Sequence, residues 1–322
     1  MPFNFKKLTK LYLVYSGSIY NIDIENEVSI GQTFTESSTS VNTVHATKFF
    51  ERSTIAKANP ASFSFKMPAL QQDDLKLVFT RLIDCNVFDL YVQSTESTFK
   101  ISNCVLTNGT FNIERNAILS MNISGEGEQL SRVGNATYTI PGFLVPRSET
   151  RKYLVPHTLN ILLDAADISG EVFSISAELQ NDASWNGYET VHKGLVVSDN
   201  SNVMYPSGFT ISKKIFAGSI GRYLIDGANS TFLNFNKDVS LQIKAGETIE
   251  GTFYGFDFNM PNCSFTNRLT VSEVFSQNFD WRLTTNTALS SILYYNTLSQ
   301  WVFESGTLSP TGIITFDGII PE

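Results

Sequence analysis

Thr43-Val44-His45 recurs as Thr190-Val191-His192, 147 residues downstream, in a chain that holds only three histidines. At the same offset LYLVYSGSIYNIDIENEVS (11–29) lies over TLNILLDAADISGEVFSIS (158–176), apolar stretch over apolar stretch. One residue of slippage later, Pro60 and Phe63 meet Pro206 and Phe209. The offset then grows to 159. Cys104-Val-Leu-Thr-Asn108 falls on Cys263-Ser-Phe-Thr-Asn267, and Glu114 on Glu273. Each match alone is weak. Together, in chain order and with two of the three His and two of the three Cys in register, they read as an internal duplication. The extra residues of the second copy fit within 226–250, as a longer loop or an added hairpin. A chain of 322 residues has room for two such units.

Both copies read as mainly β. KLYLVYSG (10–17), ASFSFKM (61–67), FDLYVQS (88–94), TFNIERN (110–116) and AILSMNIS (117–124) alternate or run as short apolar stretches between turn residues. One helix is expected over 72–83, where Leu75, Val78, Phe79 and Leu82 form a stripe at helical spacing behind Asp73 or Asp74. The expected class is therefore β-sandwich or barrel-like domains, each with a short helix. The boundaries are 1–130 for the first domain, 131–155 for a linker stiffened by Pro141 and Pro146, and 156–286 for the second domain. Residues 287–322 form a C-terminal extension, too apolar around Ile292–Tyr295 and Trp301–Phe303 for a free tail. Extra strands or a subunit contact are expected there.

Long polar stretches occupy equivalent places in the two copies, 31–60 and 177–206. Unstructured loops of that length are unusual in a compact domain. They are expected to order against a neighbouring molecule, with His45, Phe49, Phe50, Trp185, Tyr188 and His192 as contact residues. The alternative is that these side chains tuck back onto their own domain.

No catalytic constellation is visible. The histidines lack metal-ligand spacing, and no nucleophile elbow, Walker loop or dinucleotide fingerprint is present. SGEGEQL (124–130) reads as a turn. No enzyme activity, cofactor or metal is expected. The three cysteines include no close pair and read as reduced thiols, and five Asn-x-Ser/Thr sites are what an Asn-, Ser- and Thr-rich chain yields by chance. No run reaches membrane-spanning length, and no signal peptide is seen. The net charge of −8 opposes binding nucleic acid through its phosphates. Alternation in NIDIENEVSI puts Asp23, Glu25 and Glu27 on one strand face. That face, or the turns bearing Glu114 and Glu273, could line an acidic channel; a solvated outer face is the plain alternative.

The order of features resembles the tail-tube proteins of long-tailed phages, in particular the two-domain siphophage type. In the first copy these are KLYLVYSG, EVSIGQTFTESSTSV leading into a long loop, NPASFSFKMPAL, the helix and a closing hairpin to Leu130. In the second copy GRYLIDG (221–227) stands as a poor counterpart of the helix. The resemblance implies a virion structural protein assembled in host cytoplasm. It implies trimeric, pseudo-hexameric rings that stack into a hollow conduit through which DNA passes without specific binding. The implied partners are further copies of the chain, tape measure, tail terminator and distal tail proteins, and no membrane. A tandem carbohydrate-binding or adhesion module, or a tail-tip or baseplate component, is the competing expectation.

Overall fold

The structure is a computed structural model. It describes residues 9–39, 42–43, 46–47, 52–68, 74–114, 116–146, 153–185, 205–224, 238–249, 252–271, 274–284, 291–295, 300–305 and 309–317.

The chain opens with a hairpin of β1 (Lys10–Tyr15) and β2 (Ser18–Ile22). It turns on Ser16 and Gly17, both at positive φ (47° and 79°), the conformation a two-residue hairpin favours because its twist matches that of the strands. Next come β3 (Glu25–Gly31), β4 (Phe34–Thr39), β5 (Asn42–Thr43), β6 (Ala46–Thr47), β7 (Arg52–Ala58) and β8 (Ala61–Pro68). β3 pairs with β8, and the ladder continues outward as β4 on β7 and β5 on β6. Within the stretch expected as a loop, the described residues are thus largely paired strands. His45, Phe49 and Phe50 lie outside the described residues, as do Tyr188 and His192.

Helix α1 (Asp74–Asp84) follows, with Val78, Leu82 and Ile83 fully buried. After it come β9 (Phe88–Gln93), β10 (Thr98–Asn112), β11 (Ser120–Gly127) and β12 (Gln129–Gly134). β10 serves two sheets. Its first half pairs with β9 and β12, its second with β11, and breaks in register at Ile101/Cys104 and Leu106/Asn108 separate the two. SGEGEQL is not a turn but strand interrupted at Glu128 alone. Gly125 is required there, because a Cβ would sit 2.4 Å from the Phe63 ring and 2.5 Å from the Val105 carbonyl. The described part of 131–155, expected as a stiffened linker, makes backbone contacts with the first half. β13 (Phe143–Leu144) lies parallel on β2, and the Leu119 amide donates to the Leu154 carbonyl at 2.9 Å.

The second half contains β14 (Thr158–Leu163), β15 (Ala166–Asp167), β16 (Val172–Trp185), β17 (Phe209–Tyr223), β18 (Val239–Ile249), β19 (Thr252–Val271) and β20 (Phe275–Leu283). Its ladders run β15–β14–β18–β19–β20–β17–β16. Those of the first half run β2–β1–β9–β10–β11–β8–β3. The order is the same. The β14–β15 hairpin also turns on two positive-φ residues, Asp164 and Ala165. The ladders place Phe63 opposite Ile30 and Phe209 opposite Trp185, while Ala177, 147 residues after Ile30, lies opposite Gly218. In GRYLIDG, Gly221–Tyr223 finish β17, and 225–227 lie outside the described residues.

β21 (Ser291–Tyr295), β22 (Gln300–Ser305) and β23 (Ser309–Asp317) form a meander, and β23 pairs with β19 at Gly255–Asn259. β12 holds the like position on β10. The two halves meet edge to edge, β10 against β16, with Asn108 opposite Gln180 and Phe111 opposite Ala177. The apolar faces form one buried cluster. Phe111 of the first half sits in it with its ring centroid 4.9 Å from that of Phe258 and 5.0 Å from that of Phe256.

Candidate assembly surface

Alternation along the ladders gives the joined sheet one buried and one polar face. On β8, Phe63 and Phe65 point inward, leaving Ser64 and Lys66 outside; on β11, Met121 and Ile123 leave Asn122 and Ser124. On β16, Ala177 and Leu179 leave Ser176, Glu178 and Gln180; on β20, Phe279 and Trp281 leave Asp280 and Arg282. The outer face is thus hydroxyls and amides with a few charges. An open depression on it is lined by Glu25, Glu27, Ser29, Lys66, Asn108 and Asn122, among others.

Local contacts hold this face in shape. Lys66 Nζ lies 2.9 Å from a Glu25 oxygen, a half-exposed pair of small energetic weight. Across the junction between the halves the Asn108 amide donates to Glu178. One ladder further, the hydroxyls of Ser176 and Ser219 are 2.9 Å apart. Glu178 and Asn108 escaped the sequence reading. The alternation Ala177-Glu178-Leu179-Gln180 carries the signal, within the stretch expected as a loop.

The residues singled out from sequence do not form one cluster. NIDIENEVSI is not one strand: β2 ends at Ile22, Asp23 lies between strands, and a register break between Glu25 and Val28 disrupts the alternation. Glu25 and Glu27 nevertheless share the depression. Glu114 is exposed just beyond β10, and Glu273 lies outside the described residues. Trp185 is not in a loop. It ends β16, its indole N–H donates to Glu126 at 2.7 Å, and its ring centroid is 5.2 Å from that of Phe209.

Under the sheet, the buried Arg222 donates from Nε to Gln277 at 2.7 Å and lies 3.3 Å from Glu171. Gln277 in turn donates to Asn267 at 3.1 Å. Burial pulls the Arg222 guanidinium below its ordinary pKa, against the pull of Glu171.

The chain is thus mainly β, and its two ladder systems run on as a single sheet with a broad polar face. Residues 1–299 match the Bacteriophage Baseplate Tube Protein Family, and the chain belongs to that family. It is accordingly a component of the phage tail and baseplate that assembles with other proteins of that structure. No curated protein matches the chain.

Proposed function

We propose that three copies of this duplicated chain close into a pseudo-sixfold ring, and that such rings form a hollow segment of a siphophage tail tube through which DNA is ejected. The role is structural, with no catalytic step. Its main support is the ladder order used twice, with the two sets joined edge to edge at β10–β16. The hairpin turns on two positive-φ residues in each half, and the 147-residue offset from Ile30 to Ala177, equal to that between the two Thr-Val-His triplets, point the same way.

The polar face would line the lumen. Hydroxyls, amides and scattered acids such as Glu25, Glu27 and Glu178 offer DNA phosphates little to hold, and at a Debye length of about 8 Å only groups on that face would be felt. Tape measure, terminator and distal tail proteins are the partners this role requires, with assembly in host cytoplasm, where the three thiols stay reduced.

The family's description favours a second placement, a short ring segment at the baseplate end of the tube. Negative-stain microscopy of concentrated protein, averaged down the ring axis, tests both. Three-subunit, six-lobed hollow rings are expected: long stacks would indicate the main tube, single or paired rings the baseplate segment. Compact monomers at every concentration would overturn the proposal.

A further inference from the structure

We propose that Thr266–Leu269 on the open edge of β19 pairs, antiparallel, with Ile30–Thr33, the end of β3 and the two residues after it, in a second copy, with Leu269 opposite Ile30. The proposal rests on the ring assembly above and specifies its contact.

The open edges follow from the ladders. Cys263 pairs with Val239 on one side and Leu283 on the other, so β18 and β20 flank β19 on opposite edges. β20 continues to Val271, whereas β18 ends at Cys263. From Thr266 to Thr270 the β18 edge carries no ladder among the described residues. Likewise β3 pairs with β8 through Ile30–Phe63, and its other edge carries no ladder among the described residues.

Inside the chain the equivalent edges are already joined. Asn108 pairs with both Ser124 and Gln180, so β16 occupies the edge of β10 that β9 occupies further back. The register transfers through shared neighbours. Gly109 pairs with Ile123 and Asn267 with Phe279, the inward residues of β11 and β20. Asn267 therefore corresponds to Gly109 rather than to Asn108 as the sequence match suggests, because β10 breaks register between Leu106 and Asn108, and Leu269 corresponds to Phe111. By the same route Ile30 corresponds to Ala177. Phe111 opposite Ala177 in the chain becomes Leu269 opposite Ile30 between chains.

Exposure and charge fit a second copy. Phe111 is 2% exposed and Ala177 0%, because the junction covers them. Leu269, on the same inward face, is 45% exposed, and Ile30 is only half-buried. An uncovered leucine beside an unpaired strand edge is a liability that pairing removes. Arg268 stands exposed on the polar side of the β19 edge, while Glu25 and Glu27 lie on the same side of the β3 edge. Each chain presents one edge of each kind, so the contact is head to tail and closes a ring once the rotation allows.

Paired cysteines test the register. Gly31 and Arg268 face each other on the polar side, and a Cβ at Gly31 meets nothing nearer than 3.9 Å. Directly opposite Cβ atoms lie about 4.5–5.5 Å apart and diagonal ones about 7–8 Å, beyond easy disulfide reach. Gly31→Cys/Arg268→Cys should oxidise to a covalently closed trimer on denaturing gels, at least tenfold faster than Gly31→Cys with Thr266→Cys or Thr270→Cys. The unsubstituted chain serves as blank. Rings by microscopy with cross-linking fastest at an off-register pair, or absent at all three, would overturn the ladder and leave the ring assembly standing. Fast cross-linking at the Gly31/Arg268 pair without rings would uphold the ladder and sink the ring assembly. As an independent arm, Leu269→Lys should abolish association with an unchanged melting temperature; association at the native level would overturn the proposal.

Discussion

The side-chain amide of Asn181 on β16 donates to the backbone carbonyl of Leu82 in the last turn of α1, at 2.6 Å, and to that of Leu106 on β10, at 3.1 Å. Both carbonyls belong to the first half and Asn181 to the second. The helix end, which has no intrahelical donors for its last carbonyls, is thus closed by the other half of the chain. Lys214 does the same for Ile83 at 2.6 Å. Asn181→Leu should destabilise the chain by about 1–3 kcal/mol, because two buried acceptors lose their donor. Urea denaturation followed by circular dichroism measures it, and an unchanged midpoint would show that the junction does not depend on this residue.

Arg222 and Gln277 should behave as a coupled pair. Gln277→Leu removes the 2.7 Å acceptor of a buried guanidinium that keeps Glu171 at 3.3 Å, and a loss of about 1.5–3 kcal/mol is expected. Adding Arg222→Met should restore much of that loss, since a packed apolar pair needs no partner. A double-mutant cycle reads the coupling; strict additivity would contradict it.

Asp84 makes the stability depend on pH. Burial raises its pKa, and the nearby charges of Arg81 and Lys214 offset this only in part. With the folded pKa above the unfolded one, its contribution is fully present below the ordinary carboxylate range and is lost as pH rises through the folded value. Asp84→Asn should therefore raise the melting temperature at pH 7 and leave it nearly unchanged below about pH 4, the ordinary carboxylate pKa. A uniform shift at both pH values would point to packing instead.

The thiols should be inert in the folded chain. Burial pushes Cys263 up to about 12 and Cys104 well above the usual thiol range, while Cys85, only half-buried, is raised too, against the pull of Lys214. Since the thiolate is the reactive form, iodoacetamide at pH 8 should reach Cys85 first. Cys104 and Cys263 should be modified only at the rate of unfolding. Early labelling of Cys263 would mean that the end of the β18 ladder opens locally.

The sequence was most legible where periodicity and burial agree. ASFSFKM alternates without a break and is β8; the apolar stripe near 72–83 is α1. The Pro-x-x-Phe match does not carry over to the ladders, where Phe63 faces Ile30 and Gly125 but Phe209 faces Trp185. What failed did so for local reasons. Glycines normally punctuate turns, but Gly125 and Gly127 sit within β11, where a Cβ would come within 2.4 Å of Phe63 and of Ile101. The register break after Glu25 defeated the alternation in NIDIENEVSI. Glu178, Asn181 and Arg222 were hidden because their roles depend on neighbours tens of residues away.

The β10–β16 ladder also sets a timing problem during synthesis. Asn108–Phe111 find their partners only when Ala177–Gln180 have been made. At about 5–20 residues per second, that edge stands open on the ribosome for roughly 3–14 s after β10 is translated. Two nascent chains on one message could pair through it in that interval. Asn108, Gly109 and Thr110 include two poor strand formers, which weakens such premature pairing while leaving the later, intramolecular partner at high local concentration.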